Sequence, residues 1–276
     1  MPKYSIIVEY IGTNYSGSQV QPDKATIQSE LNKALSTLKV ADAFNEEGSQ
    51  KQIIKTIFSG RTDAGVHSKG QVVHFESSKP IVASRFLNSI NGILPNDISV
   101  KSIQEVDEKF HAQLSAKYRV YQYKIVNRQH RSAWDKHSLL VREPLNIERM
   151  NKSLSYLIGE HDFTSFKSMR TANPAKDCIV YKAECKKEGD IITFEIAGNR
   201  FLYNMVRTIV GTLLMIEHNK FEPEFMKQVL EAKDRTKAGP TISPDGLTLI
   251  EVGYKPYLRH SELGSESPAE GRSISK

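Results

Sequence analysis

The order of strand-like and helix-like segments restricts the fold of this chain more than any other feature of its sequence. Alternating or continuous apolar runs predict strands, and apolar residues three and four positions apart predict helices. In the first half the order is β-α-β-β-α-β, with strands near 4–10, 53–58, 71–76 and 98–105 and helices at 26–38 and 82–91. We expect Thr26 to cap the first helix and Gly92 to end the second. The polar residues 40–52 predict a loose connection.

The second half repeats this order with one additional helix. Its predicted elements are a strand at 118–126, a helix at 146–158, strands near 177–187 and 190–197, helices at 201–218 and 222–232, and a strand at 247–253. This order is the ferredoxin-like arrangement, and two such units can lie edge to edge. We therefore predict an α+β fold with two ferredoxin-like halves, 1–106 and 107–257, that share one continuous, mainly antiparallel sheet with helices packed on it. The serine-rich tail, 258–276, is expected to be disordered.

The turn Gly60–His67, with the sequence GRTDAGVH, lies between two apolar stretches and carries the main candidate for a reactive group. Two strands joined through this turn would place Asp63 at the end of a sheet. The glycines give the backbone freedom there and let another molecule approach closely. From spacing alone, the simpler interpretation is that Asp63 closes its own turn, because aspartate is common in turns.

The longer stretch GRTDAGVHSKGQVVHF (60–75) closely resembles the signature of the bacterial tRNA pseudouridine synthase A family. Four further stretches resemble the family in the same order: FHAQLSAKYRVYQY (110–123), GEHDFTSF (159–166), NRFLYNMVRTIVGTLL (199–214) and AKDRTKAGPTISPDGLTLIEVGY (232–254). The resemblance extends to about Tyr257. It implies the pseudouridine synthase fold and an isomerase that converts uridine to pseudouridine in the tRNA anticodon stem-loop, at positions 38, 39 and 40.

The resemblance also implies an acid and a cation in the active site. Asp63 matches the catalytic aspartate, which acts as a nucleophile or as the base that starts elimination at the ribose; the sequence leaves both open. Arg207 lies on an apolar predicted helix, where a charge needs a partner. It matches the family's arginine that pairs with the catalytic aspartate. The alternative is that Arg207 extends its charged end to solvent.

Three further residues match family positions that contact the substrate. Tyr121 matches the active-site tyrosine, whose ring would stack on the flipped uracil and whose hydroxyl could help to move a proton at C5. Tyr118 and Tyr123 are nearby alternatives, and any of the three could be a core residue. Arg61 matches an arginine that helps to displace the target base. Leu247 matches an apolar pocket wall, and could equally belong to the core.

The charge of the chain permits a polyanionic partner without requiring one. The net charge is +6 and the pI is about 9.1. Residues 115–137 hold six Lys or Arg against one acid, with tyrosines and Trp134 between them. Cations beside aromatic rings are typical of a nucleic-acid surface, which makes Lys124, Arg128 and Arg131 candidate phosphate contacts. The alternative is a solvated strand face with core tyrosines.

We expect neither a metal nor a nucleotide cofactor. The implied reaction involves no redox step and no net hydrolysis. His67 and His74 have no third ligand at a suitable spacing. The glycines of residues 12–17 have the spacing of a phosphate loop, but the Lys and Ser/Thr that should follow are absent. Cys178 and Cys185, seven apart in a predicted strand, should point to opposite faces and form neither a disulfide nor a zinc site.

Two other functions fit parts of the sequence. One is a non-catalytic RNA-binding protein with tyrosines on its sheets. The other is a carboxylate-based hydrolase, although only one acid lies between residues 51 and 74. No long apolar run or cleavage site is present, which predicts a cytoplasmic protein. The resemblance implies tRNA as the substrate and a homodimer. Ile11 and Ser18 depart from the family's pattern in the loop after the first strand, so the packing of that loop is open.

Overall fold

The structure is a computed structural model that describes residues 1–39, 44–45, 52–53, 55–169 and 175–258. The first half contains β1 (Lys3–Tyr10), α1 (Ile27–Leu38), β2 (Phe44–Asn45), β3 (Gln52–Ile53), β4 (Ile57–Phe58), β5 (His67–Glu76), α2 (Ala83–Ile93) and β6 (Ile98–Val106). The second half contains β7 (Tyr118–Asn127), β8 (Leu139–Val141), α3 (Ile147–Ser155), β9 (Gly159–Asp162), β10 (Asp177–Glu188), β11 (Ile191–Gly198), α4 (Met205–Asn219), α5 (Phe225–Ala232) and β12 (Leu247–Gly253).

Ten of the strands in the described part of the chain form one sheet, in the order β6-β1-β5-β12-β7-β11-β10-β9, with β4 added to β5 and β8 added to β7. The pairs along this order are antiparallel except β5 and β12, which are parallel over two residue pairs. The last strand of the described residues, β12, therefore lies in the middle of the sheet and connects the two halves. The predicted α+β fold with a shared, mainly antiparallel sheet is confirmed.

Helices bury the sheet in two large apolar clusters. The first joins α1 and α2 to the strands of the N-terminal half, and its fully buried members include Ile6, Val8, Leu31, Leu35 and Ile90. The second joins α3, α4 and α5 to the C-terminal half, and its fully buried members include Tyr123, Met150, Phe194, Ile209 and Leu213. Each such side chain contributes roughly 1.5–3 kcal/mol through burial. The helix α1 begins as predicted, because Thr26 accepts from the Ser29 amide and Ser29 Oγ accepts from the Thr26 amide.

Several predicted boundaries are wrong, and the local backbone explains two of them. Gly92 does not end α2, which continues to Ile93 and stops before Leu94; Leu94 is extended (φ −64°, ψ 148°) because Pro95 follows it. The fourth helix begins at Met205 rather than 201, after a turn in which Asn204 is left-handed (φ 63°). The fifth helix begins at Phe225 rather than 222, and the third ends at Ser155 rather than 158.

The predicted strand at 53–58 is divided between two short strands. Only β4 joins the large sheet, while β3 pairs with β2 in a separate ladder. Most of the connection predicted over 40–52 lies outside the described residues, as does residue 54. The tail predicted to be disordered also lies outside them beyond Leu258. Within the described ranges, no helix is long and apolar enough to cross a membrane.

The prediction that Cys178 and Cys185 face opposite sides of their strand is wrong. Both side chains are buried in the second large cluster, at 1% and 3% exposure. A register shift in β10 between Val180 and Lys182 inserts one residue against β11 and reverses the alternation. Both cysteines are free thiols in the structure. Burial raises the pKa of Cys178 to about 11 and that of Cys185 to about 12, so they behave as core residues.

Candidate active site

The turn that carries Asp63, residues 59–66, starts from a buried hydrogen-bond network. The Ser59 amide donates to the Val72 carbonyl at 2.8 Å, and Ser59 Oγ donates to Gln71 Oε1 at 2.5 Å. Gln71 Nε2 in turn donates to the Gly60 carbonyl at 2.9 Å. Ser59 and Gln71 are fully buried. The beginning of the turn is therefore fixed to β5, the strand to which the turn leads.

The middle of the turn is fixed to the loop after β1. The Thr62 amide donates to Ser18 Oγ at 2.9 Å, and the Ser18 amide donates to the Thr62 carbonyl at 3.1 Å. The Thr62 hydroxyl also lies 2.8 Å from the Tyr10 hydroxyl. Ser18 is 1% exposed. Ser18 is one of the two positions at which this loop departs from the family pattern. Its small hydroxyl side chain holds Thr62, the residue before Asp63.

Asp63 itself opens a tight turn. The Val66 amide donates to the Asp63 carbonyl at 3.1 Å, and Gly65 has φ +80°. A positive φ at the third position of such a turn requires glycine or a residue like it. A side chain at Gly65 would also lie within 2.7 Å of Pro244. The backbone therefore closes this turn, and the Asp63 carboxylate is free to face another element. The interpretation that Asp63 only closes its own turn through its side chain does not match this geometry.

The element that the carboxylate faces is the first turn of α4. Arg207 Nη1 lies 3.4 Å from Asp63 Oδ2, and the two side chains are only 16% and 18% exposed. The guanidinium is held by two further acceptors: Nε donates to the Ile242 carbonyl at 2.7 Å and Nη1 donates to Asn204 Oδ1 at 3.1 Å. Arg207 therefore does not extend to solvent, and its position is set by three acceptors from three segments.

Burial raises the pKa of Asp63 above its ordinary value, and the charge and hydrogen bond of Arg207 lower it by less than burial raises it. The cation beside Asp63 therefore offsets the effect of burial on its pKa only in part. The distance of 3.4 Å between Arg207 Nη1 and Asp63 Oδ2 explains this, because strong charge-assisted bonds are about 2.7–2.9 Å long. The carboxylate at this site is a stronger base than an ordinary aspartate.

Asp63 and Arg207 lie in a cavity of about 890 Å³ that is open to solvent and is lined by both halves of the chain. Arg61, Tyr121 and Leu247 line the same cavity. The Tyr121 ring packs edge-on against Phe201 at a centroid distance of 5.3 Å, and burial raises the pKa of the Tyr121 hydroxyl. Leu247 is 5% exposed. The structure therefore brings five of the predicted site residues together.

The remaining three predicted site residues lie elsewhere, since the lining of the cavity does not include Lys124, Arg128 or Arg131. Lys124 Nζ is 2.5 Å from Asp135 Oδ1. Arg128 Nη1 is 3.4 Å from Asp190 Oδ2. Arg131 is exposed. Two of these cations already have acidic partners, so a phosphate would have to compete with a carboxylate for each.

Sequence reasoning missed Arg119, which lines the cavity and connects three segments around it. Its guanidinium donates to the carbonyls of Ser59 at 2.9 Å, Asn199 at 2.8 Å and Gln113 at 3.1 Å. Burial lowers its pKa. A half-buried cation bonded to backbone carbonyls has no partner side chain that a sequence could reveal. The only signal was its place between tyrosines in the stretch 110–123.

Other missed residues form the rim of the cavity. Lys167 and Arg200 line it from the second half of the chain, and so does Tyr203, whose side chain is 50% exposed. Arg200 is exposed and donates twice to the Asp177 carbonyl, through Nε and Nη2. With Arg61 these residues place three cations and an accessible ring around the opening. A polyanion with bases is the kind of ligand that such a rim suits.

His67 and His74 act as structural residues in the fold. His67 Nδ1 accepts from the Gly12 amide at 3.0 Å, so its proton is on Nε2, which donates to the Asp245 carbonyl at 3.0 Å. Burial lowers its pKa, and lowers that of His74 to about 4. His74 Nδ1 accepts from the Ala112 amide at 3.1 Å. Across the described segments, no group of three His, Cys, Asp or Glu side chains is placed to hold a metal ion.

The sequence of this chain is similar to those of known proteins. A sequence model described as tRNA pseudouridine synthase matches residues 6–114 and 154–255. The chain is 40% identical over 256 residues to a tRNA pseudouridine synthase A of Exiguobacterium sp. (strain ATCC BAA-1283 / AT1b), covering 92% of this chain and 99% of the relative. It is 41% identical to the protein of the same name from Geobacillus kaustophilus, covering 90% and 93%.

A relative from Francisella philomiragia, also named tRNA pseudouridine synthase A, is 40% identical and covers 93% of this chain and 96% of its own. Among solved structures, a crystal structure of a Cbf5-Nop10-Gar1 complex aligns with 89% of this chain and 57% of that chain, at 10% identity and a TM-score of 0.40. A score this low adds nothing to the assignment. The family match and the curated relatives show that this chain belongs to the tRNA pseudouridine synthase A family, whose members are isomerases of uridine in tRNA.

Proposed function

We propose that this chain isomerises uridines at positions 38, 39 and 40 of the tRNA anticodon stem-loop, with Asp63 as the catalytic carboxylate. The observation that carries the proposal is the pair Asp63–Arg207, only 16–18% exposed, at a cavity large enough for a nucleotide. Asp63 comes from residues 1–106. Arg207, Tyr121 and Leu247 come from 107–257, so both halves contribute to the site.

The reaction needs one bond to be exchanged for another. The bond between uracil N1 and ribose C1′ breaks, the base turns, and C5 bonds to C1′. The proton on C5 leaves, and N1 gains one, so that no atom from water is added. Asp63 attacks C1′ or removes a proton from the ribose; both roles need the ionised carboxylate.

The target uridine must leave its stack to reach Asp63, because nothing in a stacked helix is accessible to a carboxylate inside a cavity. Tyr121 would stack on the extruded uracil, and Leu247 would form the apolar wall that keeps water from the detached base. Arg61 is exposed at the opening, where a planar guanidinium can occupy the space that the base leaves. Lys124, Arg128 and Arg131 would contact phosphates further along the tRNA.

The test is the release of tritium from tRNA labelled at C5 of uridine. The expected result is release in proportion to pseudouridine formed, and loss of release when uridines 38, 39 and 40 are all replaced by cytidine. Unchanged release from that substituted tRNA would disprove the proposed positions. A pure RNA-binding protein would bind the tRNA and release nothing, and a hydrolase would liberate free uracil.

We also propose that the chain acts as a homodimer in the cytoplasm, with each cavity built mainly by one chain. The support is the similarity to the family. Light scattering across a range of protein concentrations tests the dimer. A mass of one chain of 31.1 kDa at all concentrations would contradict it.

A further inference from the structure

A loop at 234–242 crosses α4 and supplies one of the acceptors of Arg207, the Ile242 carbonyl, at 2.7 Å from Nε. The loop lies directly on the helix backbone. A side chain at Gly211 in α4 would approach the Pro240 carbonyl to 1.8 Å. The loop can therefore reach this position only because α4 has a glycine there. The position of the Ile242 carbonyl therefore depends on how firmly the loop is held.

Arg235 is the side chain that ties this loop together. Its Nη2 donates to Thr241 Oγ1 at 3.1 Å, and its Nη1 donates to the Ala238 carbonyl at 3.4 Å. Thr241 Oγ1 also lies 3.1 Å from Thr208 Oγ1. Because a guanidinium only donates, Thr241 accepts from Arg235 and its own hydroxyl hydrogen is available to Thr208. Thr208 follows Arg207 on α4, so the chain of bonds returns to the catalytic cation.

We infer that Arg235 is a positioning residue: through Thr241 it holds the Ile242 carbonyl, which fixes the Arg207 guanidinium against Asp63. The inference rests on the proposed role of the Asp63–Arg207 pair. This role gives a function to the stretch AKDRTKAGPT. Arg235, which lies in that stretch, contacts neither Asp63 nor the predicted substrate-binding residues. Without Arg235 one of the contacts that hold this carbonyl is lost, and Arg207 lowers the pKa of Asp63 less.

The role that competes with positioning is a direct contact between Arg235 and the tRNA. Arg235 also lines a smaller cavity of about 490 Å³ beside the active site, together with the exposed residues Met169 and Tyr203. A cation there could contact a tRNA phosphate instead of positioning Arg207. A phosphate contact acts on binding and on its salt dependence. A positioning residue acts on the chemical step and on its pH dependence, and leaves binding unchanged.

The experiment measures the single-turnover rate against pH, and tRNA affinity against salt, for Arg235→Gln, Thr241→Val and Thr241→Ser. We expect Arg235→Gln and Thr241→Val to move the acid limb of the rate profile to higher pH. At a fixed pH on that limb, the rate should fall about tenfold if the limb moves by about one pH unit. Affinity and its salt slope should stay at the wild-type values. Thr241→Ser keeps the hydroxyl and should keep the wild-type profile.

The other charged and titratable groups that line the cavity with Asp63 remain in all these variants, so none of them accounts for a shift: Arg61, Arg119, Tyr121, Lys167, Arg200, Tyr203 and Arg207. Lys237→Gln is the matched control, because Lys237 is an exposed cation in the same loop. It should change neither profile. The double variant Arg235→Gln/Thr241→Val should shift the limb no further than the larger single shift, because both act through one contact.

The outcomes separate this inference from the proposed function. A wild-type profile for Arg235→Gln and Thr241→Val, beside a shifted profile for Arg207→Met, would overturn the positioning role and leave the catalytic pair in place. Weaker binding with a smaller salt slope and no shift would also overturn it, in favour of a phosphate contact. An active Asp63→Asn would refute the proposed catalytic role of Asp63. If Arg235→Gln does not fold by circular dichroism, the contrast between Thr241→Val and Thr241→Ser decides the test.

Discussion

Arg207 Nη1 lies 3.4 Å from Asp63 Oδ2, close enough for attraction but too far to cancel the effect of burial on the carboxylate. The two residues are separated by 144 positions in the chain. Their geometry gives an aspartate whose pKa is raised and which nevertheless faces a cation. Such a group is more basic than an exposed aspartate, and the cation beside it still favours the ionised form.

Replacing Asp63 with asparagine should abolish isomerisation without loss of stability at neutral pH. The pKa of Asp63 is higher in the folded chain than in the unfolded chain. Its protonation therefore stabilises the fold fully below the pKa of the unfolded chain, and this contribution is lost as the pH rises through the pKa of the folded chain. The neutral asparagine avoids the cost of a buried charge. Tritium release measures the loss of isomerisation, and urea denaturation at pH 7 measures the stability.

The control for Asp63→Asn is Asp23→Asn, since Asp23 is exposed and has a left-handed backbone that asparagine also accepts. It should leave rate and stability unchanged. If Asp63→Asn turned over within about tenfold of the wild-type rate, equivalent to about 1.4 kcal/mol, the carboxylate would not be the reactive group.

Replacing Arg207 with methionine should move the acid limb of the rate profile to higher pH. Both effects of Arg207 on Asp63 lower its pKa, so their removal leaves burial unopposed and the pKa rises further. More of the enzyme then carries a protonated Asp63 at any given pH near the limb. Single-turnover rates measured from acid to alkaline pH give the shift. Arg85→Met, an exposed arginine on α2, is the control, and an unshifted limb in Arg207→Met would show that the pair does not interact.

Replacing two helical glycines with alanine should have opposite effects on stability. At Gly92 in α2, an added Cβ meets nothing within 4 Å, so alanine should stabilise the fold by up to ~1 kcal/mol through helix propensity. At Gly211 in α4, the same Cβ would meet the Pro240 carbonyl at 1.8 Å, and the forced displacement should cost about 1–3 kcal/mol or more. Urea midpoints measure both. Equal effects at the two sites would contradict the close contact of loop and helix.

Replacing Ser18 with alanine should weaken the fixation of the turn that carries Asp63. The Thr62 amide then loses its buried acceptor, which should lower the free energy of unfolding by about 1–3 kcal/mol. Ser16→Ala, in the same loop, removes a hydroxyl for which the structure gives no such role and should cost little. Hydrogen exchange at the Thr62 amide measures this bond directly. If exchange is no faster in Ser18→Ala than in the wild type, the bond does not exist.

Tyr121→Phe and the basic substitutions should affect different steps. Phenylalanine keeps the stacking ring, so tRNA affinity should hold, while loss of the hydroxyl should slow single turnover if that group moves a proton. Alanine at Lys124, Arg128 or Arg131 should lower the slope of log affinity against log salt by up to about 0.9 each, and by less at the first two because they have acidic partners. Turnover at saturating tRNA should change little in those three variants.

If the basic substitutions leave the salt slope untouched and Tyr121→Phe weakens binding as much as any of them, both assignments are wrong. The cations on the rim of the cavity would then be the next candidates for phosphate contacts. Arg200→Ala, tested in the same way, would distinguish a short phosphate track around the opening from a longer one along β7.

The order of elements was predictable because periodicity and turn residues are local properties. Errors arose where one residue or a distant contact decides: Pro95 rather than Gly92 ends α2, and a bulge in β10 brings the two cysteines to the same face. Within the site, the resemblance to a family supplied residue identities that spacing could not. The carbonyl contacts of Arg119 and the bonds of Arg235 depend on how separate segments meet, which no local pattern encodes.

The place of β12 has a consequence for the synthesis of the protein. Among the strands that the structure describes, the one between β5 and β7 is the last to be translated, and it carries Leu247 of the cavity. Until residues 247–253 have left the ribosome, the strands on either side have no partner between them, and the cavity at Asp63 lacks Leu247. A chain that ends before residue 247 therefore lacks both the strand that joins the two halves of the sheet and one of the residues that line the cavity.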